Sequence, residues 1–150
     1  MTVSERGLEL IASFEGYRAR AYNDSGRNAT IGFGHLLHYG PVTVKDKLLY
    51  WPRPYALKRL RSDAARADAA VSAFCRKDLT QHEHDALVDF AFNCGIGALG
   101  HSTLLQDVNK RAKPAVIQAD FERWSHVGGV VLQGLLRRRK AEAELYLTKP

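Results

Sequence analysis

The 150-residue chain predicts an α+β fold: a small N-terminal β-sheet lobe, a larger α-helical lobe, and a long helix near residues 56–76 joining them. Three observations carry this. Residues 17–35 mix β-formers (Tyr17, Tyr22, Ile31, Phe33) with turn formers (Asn23, Asp24, Ser25, Gly26, Asn28). From Ala56 onward, apolar residues recur at helical spacing. Between these stretches Gly40-Pro41 and Pro52-Arg53-Pro54 mark an irregular segment, residues 39–55. No internal repeat or linker divides the chain, so residues 1–150 are expected to form one domain.

Each element has a local cause. Thr2-x-x-Glu5 has the form of a capping box, followed by Leu8, Ile11 and Ala12 on a helical face, with Gly16 as the stop. The sheet region that follows is small and needs helices to pack on. In the long helix Leu57, Leu60, Ala64, Ala67, Val71 and Phe74 share a face, and Arg59, Asp63, Arg66 and Asp68 are expected to look outward. A second capping box, Thr80-x-x-Glu83, starts a helix whose body, residues 86–92, is apolar on most sides and so should be buried. Ser102 caps a short helix through Leu104, Leu105 and Val108. Pro114 opens another carrying Ile117, Phe121 and Trp124. Gly128-Gly129 reads as a loop, and Gln133 to Leu147 as a final helix, strongly basic at Arg137, Arg138, Arg139 and Lys140.

Composition narrows the function. The net charge of +6 favours anionic partners such as nucleic acid, phospholipid headgroups or an anionic cell wall. No nucleic-acid motif is present, so no specific nucleic-acid partner is expected. No apolar run approaches the ~20 residues of a membrane span, and Met1 to Arg6 lacks the pattern of a secretory signal. Cys75 and Cys94 form no Cys-x-x-Cys pair. Buried free thiols are the expectation, with a disulfide between them left open. His35 with His38, and His82 with His84, lack the His-Glu-x-x-His spacing of a zinc hydrolase, so no metal is expected.

The chemistry concentrates early. Glu15 stands at the end of the first helix, where the negative end of the helix dipole disfavours a carboxylate; that suits an acid that must keep its proton. Asp24 lies in the turn region and Thr30 on the strand after it. An acid that protonates a leaving oxygen, with a second carboxylate that manages water on the other face, is equipment for hydrolysing a glycosidic bond. In order, Glu15, eight residues, Asp24, five residues, Thr30, then Ile31-Gly32-x-Gly34-His35, resembles the phage-type lysozymes, glycoside hydrolase family 24. So do Phe92-Asn93-x-Gly95 at the end of the apolar helix, Ser102-Thr103-Leu104-Leu105, and Gly134-Leu135-x-x-Arg138-Arg139-x-x-Glu142.

That resemblance implies a lysozyme-like fold and an endolysin that cleaves the β-1,4 bond between N-acetylmuramic acid and N-acetylglucosamine. It implies Glu15 as general acid, Asp24 and Thr30 as the pair that places the attacking water, and Leu36, Phe92, Ser102 and Gln118 as glycan contacts. It further implies a structural His35–Asp63 pair and an inward Arg138 that holds Glu15, the rest of the basic run facing an anionic surface. The partners expected are peptidoglycan glycan strands, met by a monomer. Synthesis in the host cytoplasm and release to the wall or periplasm through a holin-type pore go with it. The segment from Tyr39 to Tyr55 departs from the family pattern, either as a loop pinned by its aromatics or as a platform for a sugar ring. The alternative to hydrolysis is a lysozyme-fold module that grips peptidoglycan without cutting it; a lytic transglycosylase has no use for Asp24 and Thr30.

Overall fold

The computed structural model describes residues 1–149. They cluster in two compact units. One is Leu8–Ala64; the other combines Met1–Gly7 with the chain from Ala65 onward.

The first unit holds most of helix α1 (Glu5–Glu15) and the strands β1 (Arg18–Asn23), β2 (Ala29–Gly32) and β3 (His35–His38). They form an antiparallel sheet in the order β1-β2-β3. Strand β2 is central and buried along its whole length, so its register is fixed from both sides. Thr30 pairs with Tyr22 on β1 and with Leu36 on β3. Gly32 has φ of 69°, and a Cβ there would sit 3.1 Å from the Trp51 ring, so both backbone and space require glycine.

Trp51 anchors the irregular segment. Its N–H donates to the Ala19 carbonyl at 2.9 Å, and its ring packs on His35 and edge-on against Tyr55. Within the segment, Asp46–Leu48 form one 3₁₀ turn. Helix α2 (Arg53–Phe74) starts three residues before the apolar repeat does. Pro54 falls in its first turn, where a missing N–H costs nothing.

The 3₁₀ turn is tied down by its polar groups. Asp46 Oδ2 accepts from the Thr43 N–H (2.6 Å), the Thr43 hydroxyl (2.7 Å) and His38 Nε2 (2.8 Å). His38 Nδ1 meets the Tyr39 carbonyl at 2.9 Å, so both ring nitrogens face acceptors, as only the imidazolium can satisfy. The Tyr39 carbonyl and then Asp46 raise His38 above its ordinary 6.5. The Thr43 amide and hydroxyl, then His38, lower Asp46 from 3.8 to about 2. The His38 contribution is full below 6.5 and fades as pH rises through its raised value, and that of Asp46 is present above 3.8 and is lost as pH falls through about 2. The turn should therefore be held best between these limits. NMR titration is expected to place His38 above 6.5, with protection of the Thr43 amide falling in step as it deprotonates. An ordinary or lowered His38 value, or a Thr43 amide indifferent to it, would refute this.

The second unit is helical. It takes the later part of α2, then α3 (Gln81–Cys94), α4 (Ile96–His101), α5 (Thr103–Asn109), α6 (Pro114–Glu122) and α7 (Gln133–Leu147). Thr80 and Glu83 make the reciprocal capping box, and α3 is buried continuously from His84 to Ala91. Phe90 meets Phe121 and Trp124 edge-to-face beneath it. Ser102 caps α5, and Pro114 is in the first turn of α6. Gly128-Gly129 is the turn of a short hairpin, β4 (His126–Val127) with β5 (Val130–Val131), rather than an unstructured loop.

Two local expectations fail. Ser4, not Thr2, caps α1: its hydroxyl accepts from the Gly7 N–H at 3.2 Å, three residues on. Asp68 does not look outward. It accepts from His84 Nε2 at 2.6 Å and from the Val3 N–H at 3.2 Å. The chain start is further fixed to α3, because the Ser4 N–H donates to Asp85 Oδ1 at 2.9 Å and the Ser4 hydroxyl to Asp85 Oδ2. A Cβ on Gly7 would stand 2.6 Å from Asp85 Cγ, so nothing larger than glycine fits.

Candidate active site

Glu15 is the last residue of α1 and is half-buried. Gly16, at φ of 73°, ends the helix with its N–H on the Ala12 carbonyl. The Glu15 carboxylate lies against Gly34, where a Cβ would be 3.7 Å from Oε2.

Asp24 begins the turn between β1 and β2. Its N–H donates to the Asn28 carbonyl at 3.0 Å, its carbonyl accepts from the Arg27 N–H at 2.9 Å, and its Oδ1 accepts from the Asn28 N–H at 2.8 Å. Arg27 takes the left-handed conformation, φ 60°, that the tight return needs. Asn28 does two jobs, because its Oδ1 also accepts from the Gly40 N–H at 3.0 Å. It locks the Asp24 carboxylate and ties the turn to the chain after β3. Asn28 reads from sequence only as a turn former; no signal in the sequence marks it as the residue that orients Asp24.

Thr30 is buried on β2, with its hydroxyl donating to the Asn28 carbonyl at 3.1 Å. Its neighbour across the ladder, Tyr22, links the two carboxylates electrostatically. The Tyr22 phenol is raised first by burial; Arg18, whose guanidinium lies 4.4 Å from the ring centre, opposes this, while Asp24 and then Glu15 add to it. Both carboxylates thus act on one phenol. Leu36, opposite Thr30 on β3, is partly exposed. His35 Nδ1 donates to both oxygens of Asp63, at 3.0 and 2.8 Å.

Phe92, Ser102, Gln118 and Arg138 belong to the helical unit. Phe92 is half-buried near the end of α3. Ser102 is buried, and its hydroxyl is spent on the cap, donating to the Leu99 carbonyl at 2.7 Å and accepting from the Leu105 N–H at 3.0 Å. Gln118 is exposed on α6 and donates to Glu122 at 2.9 Å. Arg138 is buried; its Nε and Nη2 donate to Asp89 Oδ1, the former at 3.0 Å.

The basic run divides differently from the expectation. Arg139 is buried as well, at 0% exposure, leaving Arg137 and Lys140 outside. Neighbouring positions on a helix are about 100° apart, and a helix packed on a broad interior can turn two of them inward. Arg139 Nη2 donates to Glu142 at 2.7 Å and to Asn93 at 2.8 Å, and Nη1 donates to Cys94 Sγ. Both cysteines are free thiols. Burial pushes Cys75 up to about 11, and Cys94 in the same direction, so neither is an activated nucleophile.

An α+β chain with a small antiparallel sheet and a predominantly helical remainder is of the lysozyme-like class. The family model described as phage lysozyme matches residues 12–142, and the chain belongs to that family. The endolysin of Bacillus phage B103 is 39% identical over 153 residues, covering 99% of this chain and 55% of that protein. The endolysin of Acyrthosiphon pisum secondary endosymbiont phage 1 is 35% identical over 152 residues, covering 97% and 98%. The solved endolysin from Escherichia coli O157:H7 phage FAHEc1 matches with a TM-score of 0.84 at 34% identity, over 98% of this chain and 94% of that one. The chain spans about half the length of the Bacillus-phage relatives it matches.

Proposed function

We propose that the chain is a peptidoglycan hydrolase, an endolysin that cleaves the β-1,4 bond between N-acetylmuramic acid and N-acetylglucosamine, and that residues 1–150 act as one lysozyme-like domain. The observation that carries it is the Glu15–Asp24–Thr30 constellation within one compact unit. Glu15 gives its proton to the leaving oxygen. Asp24, with Oδ1 fixed by the Asn28 N–H, directs its other oxygen to a water shared with the Thr30 hydroxyl. That water attacks the anomeric carbon as charge develops on the sugar, and inversion results. Leu36, Phe92, Ser102 and Gln118 are proposed glycan contacts, although the Ser102 hydroxyl is already engaged. His35 and Asp63 are proposed as the structural pair beside the site, and Arg138 as the inward cation that supports Glu15.

The proposal includes a monomer that works without metal or cofactor. It includes synthesis in the host cytoplasm, access to the wall or periplasm by holin-type release, and wall contact through exposed Arg137 and Lys140. Mass analysis of products from purified peptidoglycan is the test. A reducing N-acetylmuramic acid end is expected. An anhydro end would mean transglycosylation, and intact glycan that still pulls down with the protein would mean a binding module. Asp24→Asn is expected to lower turnover by about a hundredfold or more, since a misplaced water is costly. Full activity of that variant would leave Asp24 a purely structural turn residue.

A further inference from the structure

Residues 39–50 invert the usual polarity of a surface loop. The acidic group is inside: Asp46 is 9% exposed and takes three hydrogen bonds from Thr43 and His38. The apolar groups are outside: Tyr39 is 83% exposed, Val44 79%, Leu48 78% and Tyr50 59%. The loop is fastened at several points, so this exposure is built in. Besides the Asp46 bonds, the Val42 N–H donates to Asn23 Oδ1 at 2.7 Å, and the Ala29 N–H to the Gly40 carbonyl at 2.8 Å. The cations around it are also outward. Lys45 and Lys47 are exposed and have no carboxylate partner among the described residues, and the Arg20 guanidinium lies 5.1 Å from the Tyr50 ring centre.

We infer that this loop is a docking surface for an anionic phospholipid bilayer. Three features select that occupant. Branched aliphatics such as Val44 and Leu48 offer no flat face to a sugar ring, so a glycan platform does not explain them. Tyrosines flanking aliphatic tips are the composition of an interfacial anchor, whose rings sit at headgroup depth. Lysines interleaved with the aliphatics match the negative surface of phosphatidylglycerol-type lipids. Among the described residues no helix is long and apolar enough to cross a membrane, so the contact is peripheral. It goes beyond glycan cleavage and does not depend on it.

The test is flotation of the full chain with vesicles of phosphatidylcholine, alone or mixed with phosphatidylglycerol. Binding is expected only to the mixed vesicles. Val44→Ser with Leu48→Ser should weaken it by about tenfold or more, through lost apolar insertion. Lys45→Glu with Lys47→Glu should weaken it comparably, while Arg137→Glu with Lys140→Glu should leave most of it. Melting curves are expected to match the parent, because all these side chains are exposed. No binding to mixed vesicles would overturn the inference. So would loss on charge reversal at any site with none on Val44→Ser and Leu48→Ser, which would reduce the effect to net charge. Self-association abolished by Leu48→Ser, or capture of lipid-free glycan in place of vesicles, would assign the loop to a second copy or to substrate and would equally overturn it.

Discussion

Glu15→Gln is expected to remove lytic activity by about a hundredfold to ten-thousandfold while leaving the fold intact, the range that a positioned general acid supplies. The amide has nearly the shape of the carboxyl but no proton to deliver. Glu15 is half-buried at the negative end of α1, its carboxyl against Gly34, and Asp24 acts on the same Tyr22 phenol. A positive control is Glu15→Asp, which keeps the proton but shortens its reach, and should fall between the two. Retention of roughly a tenth or more of parental turnover by Glu15→Gln would take the acid role away from this residue.

Arg139→Ala is expected to have the largest effect on stability, a loss of about 3–5 kcal/mol, the range for removing one partner of a buried pair. Arg139 and Glu142 are both fully buried, and among the described residues Glu142 would keep as a cationic partner only Arg138, 3.7 Å away. Burial, and then the charge on Asp89, already push Glu142 well above its ordinary 4.5, against the pull of Arg139 and Arg138. A raised carboxyl favours the native state in its protonated form, so its contribution declines as pH rises from 4.5 through the folded value. Removing Arg139 raises that value further. The loss should therefore be greatest at neutral pH and shrink toward 4.5. Urea unfolding across this range is the measurement. A pH-independent loss below about 1 kcal/mol, the size of a surface ion pair, would show that the network does not hold the helical unit.

The parts of this fold legible in the sequence are those with a local cause. The Thr80–Glu83 box, the Ser102 cap and Pro114 at a helix start each specify a boundary within four residues, and each forms. The continuous burial of α3 follows from the apolar run on it. Helix α4 was not legible, because Gly97 and Gly100 in its six residues weaken the helical signal; its place is set by packing, with Gly100 against Phe74. Asp68 and Arg139 look like solvent-facing charges in sequence, and only partners on another helix, His84 for Asp68 and Asn93 for Arg139, reveal them as interior groups. At the candidate site, Glu15, Asp24 and Thr30 are recognisable by spacing. Asn28 is not, because turns are full of asparagine and only the register of β2 on β3 gives this one its second bond, to the Gly40 N–H.

The seating of Ser4 and Gly7 on Asp85 also sets an order of assembly. Residues 1–7 group with a unit whose remaining chain begins at Ala65, so that unit is discontinuous in sequence. Its first contacts join positions 81 apart, with the whole sheet unit intervening as a closed loop. On a ribosome the first residues emerge early, yet Ser4 and Gly7 meet Asp85 only once α3 has been made. The sheet unit, by contrast, is continuous from Leu8 to Ala64 and can consolidate first. Once it has done so, it shortens the effective loop and lowers the entropy cost of bringing Ser4 to Asp85. The glycine at position 7 is thus a late-acting residue. A side chain there would burden the final closure of the helical unit more than the early formation of α1, and would show itself chiefly as faster unfolding.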